Sequence, residues 1–405
     1  MFALAEKGMK QIEKIIPMRH TDIRELFKFE RTPLNLLIAF ITFIFLILFV
    51  VGFINYLRFG HHAYGVYREH PWGLMIAMYI FFVVSSTGLC IMSAIGHVFE
   101  VKVLEPFSKR AIHGALVTLI SGFIVILLEV GHPFRMMLYN TISPGLTSAI
   151  WGMGVLYSLY LIFIAVEFFF LLRHDHKWAK RFGIFGLVVG IAAHSNLGAV
   201  FGFLVGRPVA NGIYYPLYFI LTAMVTGCYL IFLMYGFKYK LDFPENIQKT
   251  LIATAKILGL LLAILLFFEI WKALTSIYGG MYDRSATAIH ILKSSSFWIG
   301  EIFLGILVPF IIILFSSARA IKPLVFASFT GMIGIFYMRY DLVNDTQLFP
   351  MQTLKITEYQ LPPSFIHYTP SMTEIFIALG AIGIAITLYY IGDKLLYLEN
   401  DPENV

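Results

Sequence analysis

The stretch from residue 34 to residue 57 reads LNLLIAFITFIFLILFVVGFINYL and contains no charged residue. A helix of about 20 mostly apolar residues is long enough to cross the hydrocarbon core of a bilayer. In lipid the backbone must satisfy its own polar groups, so an uninterrupted apolar run of this length predicts a helix and not a strand. The sequence therefore predicts a protein that crosses a membrane.

Nine further runs of the same kind follow the first. We expect an all-α polytopic membrane protein in which two packed four-helix bundles are accompanied by flanking helices. The ten predicted spans are approximately 34–57, 72–96, 109–131, 147–172, 180–205, 214–237, 251–276, 296–318, 321–340 and 371–392.

The composition excludes several classes of protein. Only 13% of the 405 residues are charged and 59% are apolar, whereas soluble domains carry roughly 25% charged residues. A cytosolic or secreted enzyme, a nucleic-acid binder and a disordered scaffold are therefore excluded. The two cysteines, Cys90 and Cys228, lie inside apolar runs. Without a CxxC motif, we expect neither an iron–sulfur cluster nor a metal site in this chain.

The basic residues predict the orientation of the spans. Of the 30 Lys and Arg residues, 20 belong to the two tails and the even-numbered connections, and 9 belong to the other side. Basic residues favour the cytoplasmic side, so both termini are predicted to be cytoplasmic. We expect a basic tail over 1–33, a membrane domain over 34–392 with an outer loop over 341–370, and a second tail over 393–405.

Ionisable and polar residues inside a membrane are costly and mark candidate functional sites. Glu129 lies at the outer end of the third span and is followed by Arg135. His194 and Asn196 lie near the middle of the fifth span. Two interpretations stay open for each pair. His194 and Asn196 either serve a ligand or bond neighbouring helices, and Glu129 and Arg135 either carry chemistry or form a structural ion pair.

A path for protons is a further hypothesis. Glu269, Lys256 and Ser86 are polar positions within apolar spans and are the candidates to line such a path. The structural alternative is that Glu269 pairs with Lys272 three residues later, that Lys256 extends to the inner surface, and that Ser86 only packs.

Two histidines form a candidate haem site. His97 and His113 lie at the inner ends of adjacent antiparallel spans, where they could face each other and hold a b-type haem through two axial nitrogens. Histidines at a membrane surface are also ordinary solvated residues, and only this one pair is available.

A series of short segments, spread over most of the chain, carries a resemblance to a known family. The segments are Pro71-Trp72-Gly73-Leu74, Leu128-Glu129-Val130-Gly131-His132-Pro133-Phe134-Arg135, His194-Ser195-Asn196-Leu197-Gly198, Gly206-Arg207-Pro208, Phe297-Trp298 with Glu301 and Pro309, and Tyr368-Thr369-Pro370-Ser371 with Glu374 and Gly380. In their order and spacing the chain resembles the NrfD/PsrC-like family of integral membrane subunits, in particular its ten-helix branch, which includes the membrane subunit of hydrogenase-2-type complexes. The family often has Asp at the position of Glu129 and Arg at that of His132.

The resemblance implies a quinone-reactive membrane subunit without a redox centre of its own. Family members exchange two electrons between a membrane quinone, menaquinone or ubiquinone, and a ferredoxin-like iron–sulfur subunit that docks on the outer face. The catalytic partner in such complexes is a hydrogenase, a molybdopterin reductase or a multihaem cytochrome. The resemblance also implies the cytoplasmic membrane of a bacterium or an archaeon.

Within this family the polar residues acquire expected roles. His194 and Tyr79 are predicted to hydrogen-bond the quinone carbonyl oxygens, with Asn196 beside them. Glu129 is predicted to carry protons, and Arg135 to hold that carboxylate or to guide the docked subunit. Two other functions stay open at this point, a secondary transporter and a haem b-bearing quinol–cytochrome subunit.

Overall fold

The computed structural model describes residue 13 and residues 15–19, 32–207, 209–279, 282–349 and 365–399. Most of the predicted tail 1–33, the middle of the predicted outer loop 341–370 and the end of the tail 393–405 lie outside these ranges. Within them every extended regular element is helical. The helices that matter for the fold are α1 (Pro33–Phe59), α2 (Leu74–His97), α3 (Ser108–Glu129), α4 (Pro133–Ile142), α5 (Ala149–Leu172), α6 (His176–Gly202), α7 (Tyr214–Tyr239), α8 (Glu245–Tyr278), α9 (Tyr282–Leu292), α10 (Ser296–Ser316), α11 (Ile321–Asp345) and α12 (Met372–Leu395).

The ten predicted spans are confirmed. All of the helices except the short α4 and α9 are long and apolar enough to cross a membrane. Several helices extend beyond the predicted limits, since hydropathy marks only the part of a helix that lies in lipid. α8 begins at Glu245, where an acidic side chain in the first turn suits the helix dipole. α11 ends at Asp345, so the first five residues of the predicted loop 341–370 are helical.

The predicted arrangement of two bundles is also confirmed. α2, α3, α5 and α6 pack around one another as the first bundle, and α7, α8, α10 and α11 pack as the second. α2 packs against α7 and joins the bundles, while α1 and α12 pair with each other on the flank of the first bundle. α2 is the most enclosed spanning helix and α1 the least, so most of the apolar surface of α1 lies on the outside of the bundle.

Glycines allow the closest contacts between helices. A Cβ atom at Gly88 of α2 would overlap the Ala223 carbonyl of α7, and one at Gly227 would overlap the Gly88 carbonyl. The glycines of α6 act in the same way, because a Cβ atom at Gly198 would lie 2.7 Å from the Tyr215 carbonyl oxygen. Small residues at such positions let helix backbones approach each other in a membrane.

Described residues of the N-terminal segment and the end of α12 meet at one face of the bundle. The Arg19 amide donates to the Leu395 carbonyl at 2.8 Å. Near this point the buried Arg110 of α3 donates to Asp393 and to the Tyr389 hydroxyl of α12. We call this end of the bundle the terminal face and the other end the opposite face. The positive-inside pattern predicts that the terminal face is cytoplasmic.

α10 departs from a regular α-helix. It is a π-helix over Ser296–Leu307 and an α-helix over Val308–Ser316. Pro309 has no N–H to donate to the Gly305 carbonyl four residues earlier. The Tyr229 hydroxyl of α7 donates to that carbonyl at 2.6 Å, so the neighbouring helix satisfies a backbone group that the proline leaves free.

The Gly88 contact generates a prediction about stability. Gly88→Ala should force α2 and α7 apart and cost about 1–3 kcal/mol, the usual penalty for overpacking a filled interior. The expected result is a melting temperature several degrees lower in detergent, measured by loss of the monodisperse peak after heating. Gly131→Ala is the matched control, since the nearest atom to a Cβ there is 3.5 Å away. Equal melting temperatures for the two variants would contradict the close packing.

Candidate functional site

A buried tyrosine and a buried histidine are joined in the middle of the first bundle. The Tyr157 hydroxyl of α5 lies 3.0 Å from Nδ1 of His194 in α6. Both side chains are almost fully enclosed. Each residue lies eight positions from the opposite-face end of its helix, a depth of about 12 Å. The pair is therefore held below the membrane surface by two adjacent helices.

The hydrogen bonds of His194 indicate which of its ring nitrogens carries the hydrogen. Nε2 lies 3.1 Å from the Phe219 carbonyl oxygen of α7, and a carbonyl can only accept. Nε2 therefore carries the hydrogen, and in the neutral imidazole Nδ1 accepts from the Tyr157 hydroxyl. Three helices, α5, α6 and α7, fix this ring and the direction of each of its hydrogen bonds.

Tyr79 of α2 completes a group that we call the midplane cluster, which consists of Tyr79, Tyr157 and His194. The Tyr79 ring meets the Tyr157 ring edge-on with 6.4 Å between centroids. Tyr79 is 4% exposed. The sequence predicted roles for Tyr79 and His194 but missed Tyr157. A pattern in the sequence could have indicated Tyr157, because the spacing of Tyr157, Tyr160 and Glu167 places three polar groups on one face of α5.

A buried arginine lies beside this cluster. The guanidinium of Arg339 in α11 lies 4.7 Å from the centre of the Phe219 ring and donates to the Thr222 hydroxyl. Its Nε and Nη1 atoms have no hydrogen-bond partner among the described residues. Arg339 places a fixed positive charge next to the residue whose carbonyl binds His194.

Glu129 lies apart from the midplane cluster. It is the last residue of α3 at the opposite face, 8% exposed, and its Oε2 has no hydrogen-bond partner in the described part of the chain. Its neighbours are His61, Tyr64 and Glu374, and the Tyr64 hydroxyl donates to the adjacent Leu128 carbonyl at 3.0 Å. The structure records no contact between Glu129 and His194, so the two predicted catalytic residues occupy separate places.

Asn196 and Arg135 have other contacts than those expected. Asn196 donates to the Ala149 carbonyl at the start of α5, at 2.7 Å. This bond fits the alternative in which Asn196 joins two helices. Arg135 lies exposed on α4, where its guanidinium stacks 5.3 Å from the centre of the Tyr139 ring. The described structure shows no ion pair between Arg135 and Glu129.

The three residues suggested for a proton path do not lie together. The Ser86 hydroxyl of α2 is 3.2 Å from the Tyr160 hydroxyl, inside the first bundle. Glu269 lies in α8 of the second bundle and pairs with Lys272 at 3.3 Å, as the structural alternative expected. Lys256, also in α8, is exposed on the surface of the helix.

His97 and His113 do not face each other. Nε2 of His97 lies 2.9 Å from Glu167 of α5. Nε2 of His113 lies 3.3 Å from the Tyr389 carbonyl of α12. The two imidazoles point to different helices, so the axial pair that the haem alternative requires is not formed by these residues.

Comparison with known proteins identifies the family. The sequence model described as "Polysulphide reductase, NrfD" matches residues 62–351, which include α2 to α11 and the whole midplane cluster. This chain belongs to the NrfD family. It is a multi-pass membrane protein of that family, and the resemblance noted in the sequence is confirmed.

Curated relatives of this NrfD-family chain are named as parts of oxidoreductases. One is a selenate reductase subunit of Mesobacillus selenatarsenatis, 25% identical over 88% of this chain and 93% of the relative. Another is an Hdr-like menaquinol oxidoreductase integral membrane subunit of Archaeoglobus fulgidus, 26% identical over 82% of this chain and 86% of the relative. Both similarities cover more than four fifths of this chain.

Several segments that carry the NrfD resemblance meet at the opposite face. Glu374 accepts from the Gly65 amide at 2.7 Å and from the Ser371 amide at 2.8 Å. The Tyr368 hydroxyl donates to the other oxygen of Glu374 and accepts from the Leu74 amide at 2.8 Å. A single carboxylate thus ties the start of α2 and the start of α12 to the loop between α1 and α2.

A buried histidine belongs to the same assembly. The His70 ring stacks on the Tyr368 ring with 4.9 Å between centroids and 7° between planes. Burial lowers the pKa of His70 from its ordinary value of 6.5, and the nearby Arg207 guanidinium lowers it as well. His70 is therefore neutral in the folded protein at neutral pH.

The neutral state of His70 predicts that the loop containing it becomes less stable as the pH falls. Below pH 6.5 the unfolded loop binds a proton that the folded loop resists, so the loop loses stability as the pH falls. We expect faster hydrogen exchange of residues 64–72 at about pH 5.5 than at about pH 7.5, after correction for intrinsic rates. His70→Phe keeps the stacked ring and should remove the dependence. The exposed His62 is the control, and His62→Phe should leave it unchanged; a dependence that survives His70→Phe would contradict the assignment.

Proposed function

We propose that this chain exchanges electrons between the membrane quinone pool and an iron–sulfur subunit docked at the opposite face. The observation that carries the proposal is the midplane cluster, in which two phenols and an imidazole lie buried side by side at depths of about 8 to 12 Å. Quinone carbonyl oxygens need hydrogen-bond donors of this kind. The name of the Archaeoglobus relative, a menaquinol oxidoreductase subunit, supports menaquinone as the quinone.

Quinone reduction needs two electrons and two protons, and quinol oxidation releases them. In our proposal Tyr79 donates to one quinone carbonyl oxygen. His194 donates to the other, which replaces the Phe219 carbonyl as the acceptor of the Nε2 hydrogen, while Tyr157 holds the His194 ring in one tautomer. Glu129 exchanges protons with the opposite face, for which its unpaired carboxylate oxygen is suited. An enclosed site also keeps water from the partly reduced quinone.

The partners follow from what the chain itself supplies. Cys90 and Cys228 are separate buried thiols, and the chain supplies no cysteine set for a cluster, so the electrons come from or go to a neighbouring subunit. A ferredoxin-like iron–sulfur subunit is the proposed carrier, and a hydrogenase, a molybdopterin reductase or a multihaem cytochrome is the proposed catalytic subunit. The relatives come from a bacterium and an archaeon, which supports placement in the cytoplasmic membrane of such a cell.

Substitution in the midplane cluster tests the site. His194→Ala and Tyr157→Phe should each lower quinone-dependent turnover of the purified complex by about 100-fold or more, the usual effect of losing a group that positions a proton. The complex should assemble normally, because the cluster is remote from the faces. Tyr235→Phe is the matched control, since Tyr235 is an equally buried phenol that donates to a carbonyl near the terminal face. Wild-type turnover in both site variants would contradict the assignment.

Glu129→Gln tests the second element of the site. The variant keeps the size of the side chain but cannot carry a proton as an acid, so turnover should fall at least about 10-fold while quinone still binds. The measurement is the rate of quinone turnover together with the quinone retained after purification. Loss of bound quinone at an unchanged rate per bound quinone would assign Glu129 to binding and not to proton transfer.

Purification tests the proposed partners. The tagged chain, extracted in a mild detergent, should bring along a cysteine-rich ferredoxin-like subunit and a large catalytic subunit, identified by mass spectrometry. A chain that is recovered alone, or only with copies of itself, from cells that express its neighbouring genes would contradict the proposal and would favour a transporter.

A further inference from the structure

Two rows of polar side chains face each other across the first bundle, between the midplane cluster and the terminal face. In α2 the row consists of Ser86, Cys90, Ser93 and His97, whose spacings of four, three and four residues keep them on one side of the helix. In α5 it consists of Tyr157, Tyr160 and Glu167. We call these seven residues together the α2–α5 polar row.

The row begins at the terminal face with an enclosed contact between a histidine and a carboxyl group. Nε2 of His97 lies 2.9 Å from Oε1 of Glu167, with side-chain exposures of 7% and 1%. The second carboxylate oxygen of Glu167 has no hydrogen-bond partner in the described part of the chain. Glycines leave room for it, because a Cβ atom at Gly186 of α6 would lie 3.2 Å from that oxygen.

The row continues through hydroxyl groups to the midplane cluster. Tyr160 bonds the Ser86 hydroxyl at 3.2 Å and contacts Cys90. Thr87, next to Ser86, contacts the Tyr157 hydroxyl, which bonds His194. Between Glu167 and Tyr160 the helix rises by about 10 Å, a gap that Cys90 lines and that transient water must complete.

Few other charges act on this row. The titratable groups that face Glu167 are His97 and Cys90 of α2 and Tyr160 of its own helix, and Glu105, just before α3, acts on His97. α6 presents Gly183 and Gly186 to the carboxylate. Burying a carboxyl group such as that of Glu167 with one oxygen unpaired costs free energy. Helix packing alone gives no reason for that cost.

We propose that the α2–α5 polar row exchanges one of the two protons of quinone chemistry with the terminal face. The inference rests on the proposed function and extends it, because the route at the opposite face involves only Glu129. In reduction, the quinone takes two electrons from the docked subunit, one proton through Glu129 and one through Glu167, Tyr160 and Tyr157. In oxidation all of these transfers run in reverse.

The test uses the complete complex in sealed vesicles that contain quinone. Vesicle orientation is read from the accessibility of a tag on the C-terminal tail, and a pH-sensitive dye reports proton uptake or release in the compartment of the terminal face. The wild-type complex should exchange one proton there for each two electrons transferred, and the rate should respond to the pH of that compartment.

Glu167→Gln should lower this exchange at least about 10-fold, and the remaining turnover should no longer respond to the pH at the terminal face. A purely structural role would lower the amount of complex without changing the ratio of protons to electrons. Tyr160→Phe keeps the ring and removes the hydroxyl, and it should show the same change of ratio even where Glu167→Gln fails to assemble. Glu245→Gln is the matched control, because Glu245 is exposed at the same face.

The outcomes separate the two proposals. A wild-type complex that turns over no quinone would overturn the proposed function and this inference together. Normal quinone turnover without proton exchange at the terminal face, or a wild-type ratio in Glu167→Gln and Tyr160→Phe, would overturn the inference alone.

Discussion

The close crossing of α2 and α7 is the contact on which the rest of the molecule depends. Gly88 and Gly227 let the two backbones touch, since a side chain at either position would meet a carbonyl group of the other helix. α2 carries Tyr79 and belongs to the first bundle, whereas α7 belongs to the second and supplies the Phe219 carbonyl that binds His194. The same contact therefore joins the bundles and brings the parts of the midplane cluster together.

The absence of water from the bilayer interior explains how the polar groups are arranged. An unpaired polar group in lipid costs several kcal/mol, and most of the buried ones here are bonded to a backbone carbonyl or to another side chain. Tyr229 bonds the Gly305 carbonyl, and Asn196 bonds the Ala149 carbonyl. Some buried side-chain atoms in the described part of the chain have no hydrogen-bond partner, and atoms of Glu129, Glu167 and Arg339 are among them. Glu167 and Arg339 also hold contacts to His97 and Thr222, so a function is assigned to their unpaired atoms only.

The sequence predicted the spans, the two bundles and the position of His194 inside a span, because apolar length and polar interruptions are local properties of the chain. It did not predict which polar residues meet. The periodicity of α3 and α6 does not indicate which side chains of other helices Glu129 and His194 meet, and the structure gives each of them its own neighbours. Tyr157 was missed for a related reason, since a tyrosine in an apolar span looks like ordinary packing until its partner is known. The Gly305 carbonyl of α10 accepts from Tyr229, a residue of a distant helix, and no local pattern in the sequence indicates that contact.

The positions of Glu129 and Glu167 determine what quinone chemistry would do to the membrane potential. The two carboxyl groups lie at opposite ends of the first bundle, one at the last residue of α3 and one near the terminal end of α5. If electrons enter at the opposite face and a proton enters at the terminal face, the two charges cross the membrane in opposite senses and meet at the quinone. Each elementary charge moved through the full potential is worth about 2.3 kcal/mol per 100 mV. In this scheme no part of the protein has to move in order to carry protons across the membrane. The charge carried across is set by the depth of the quinone site and by the face from which each proton comes.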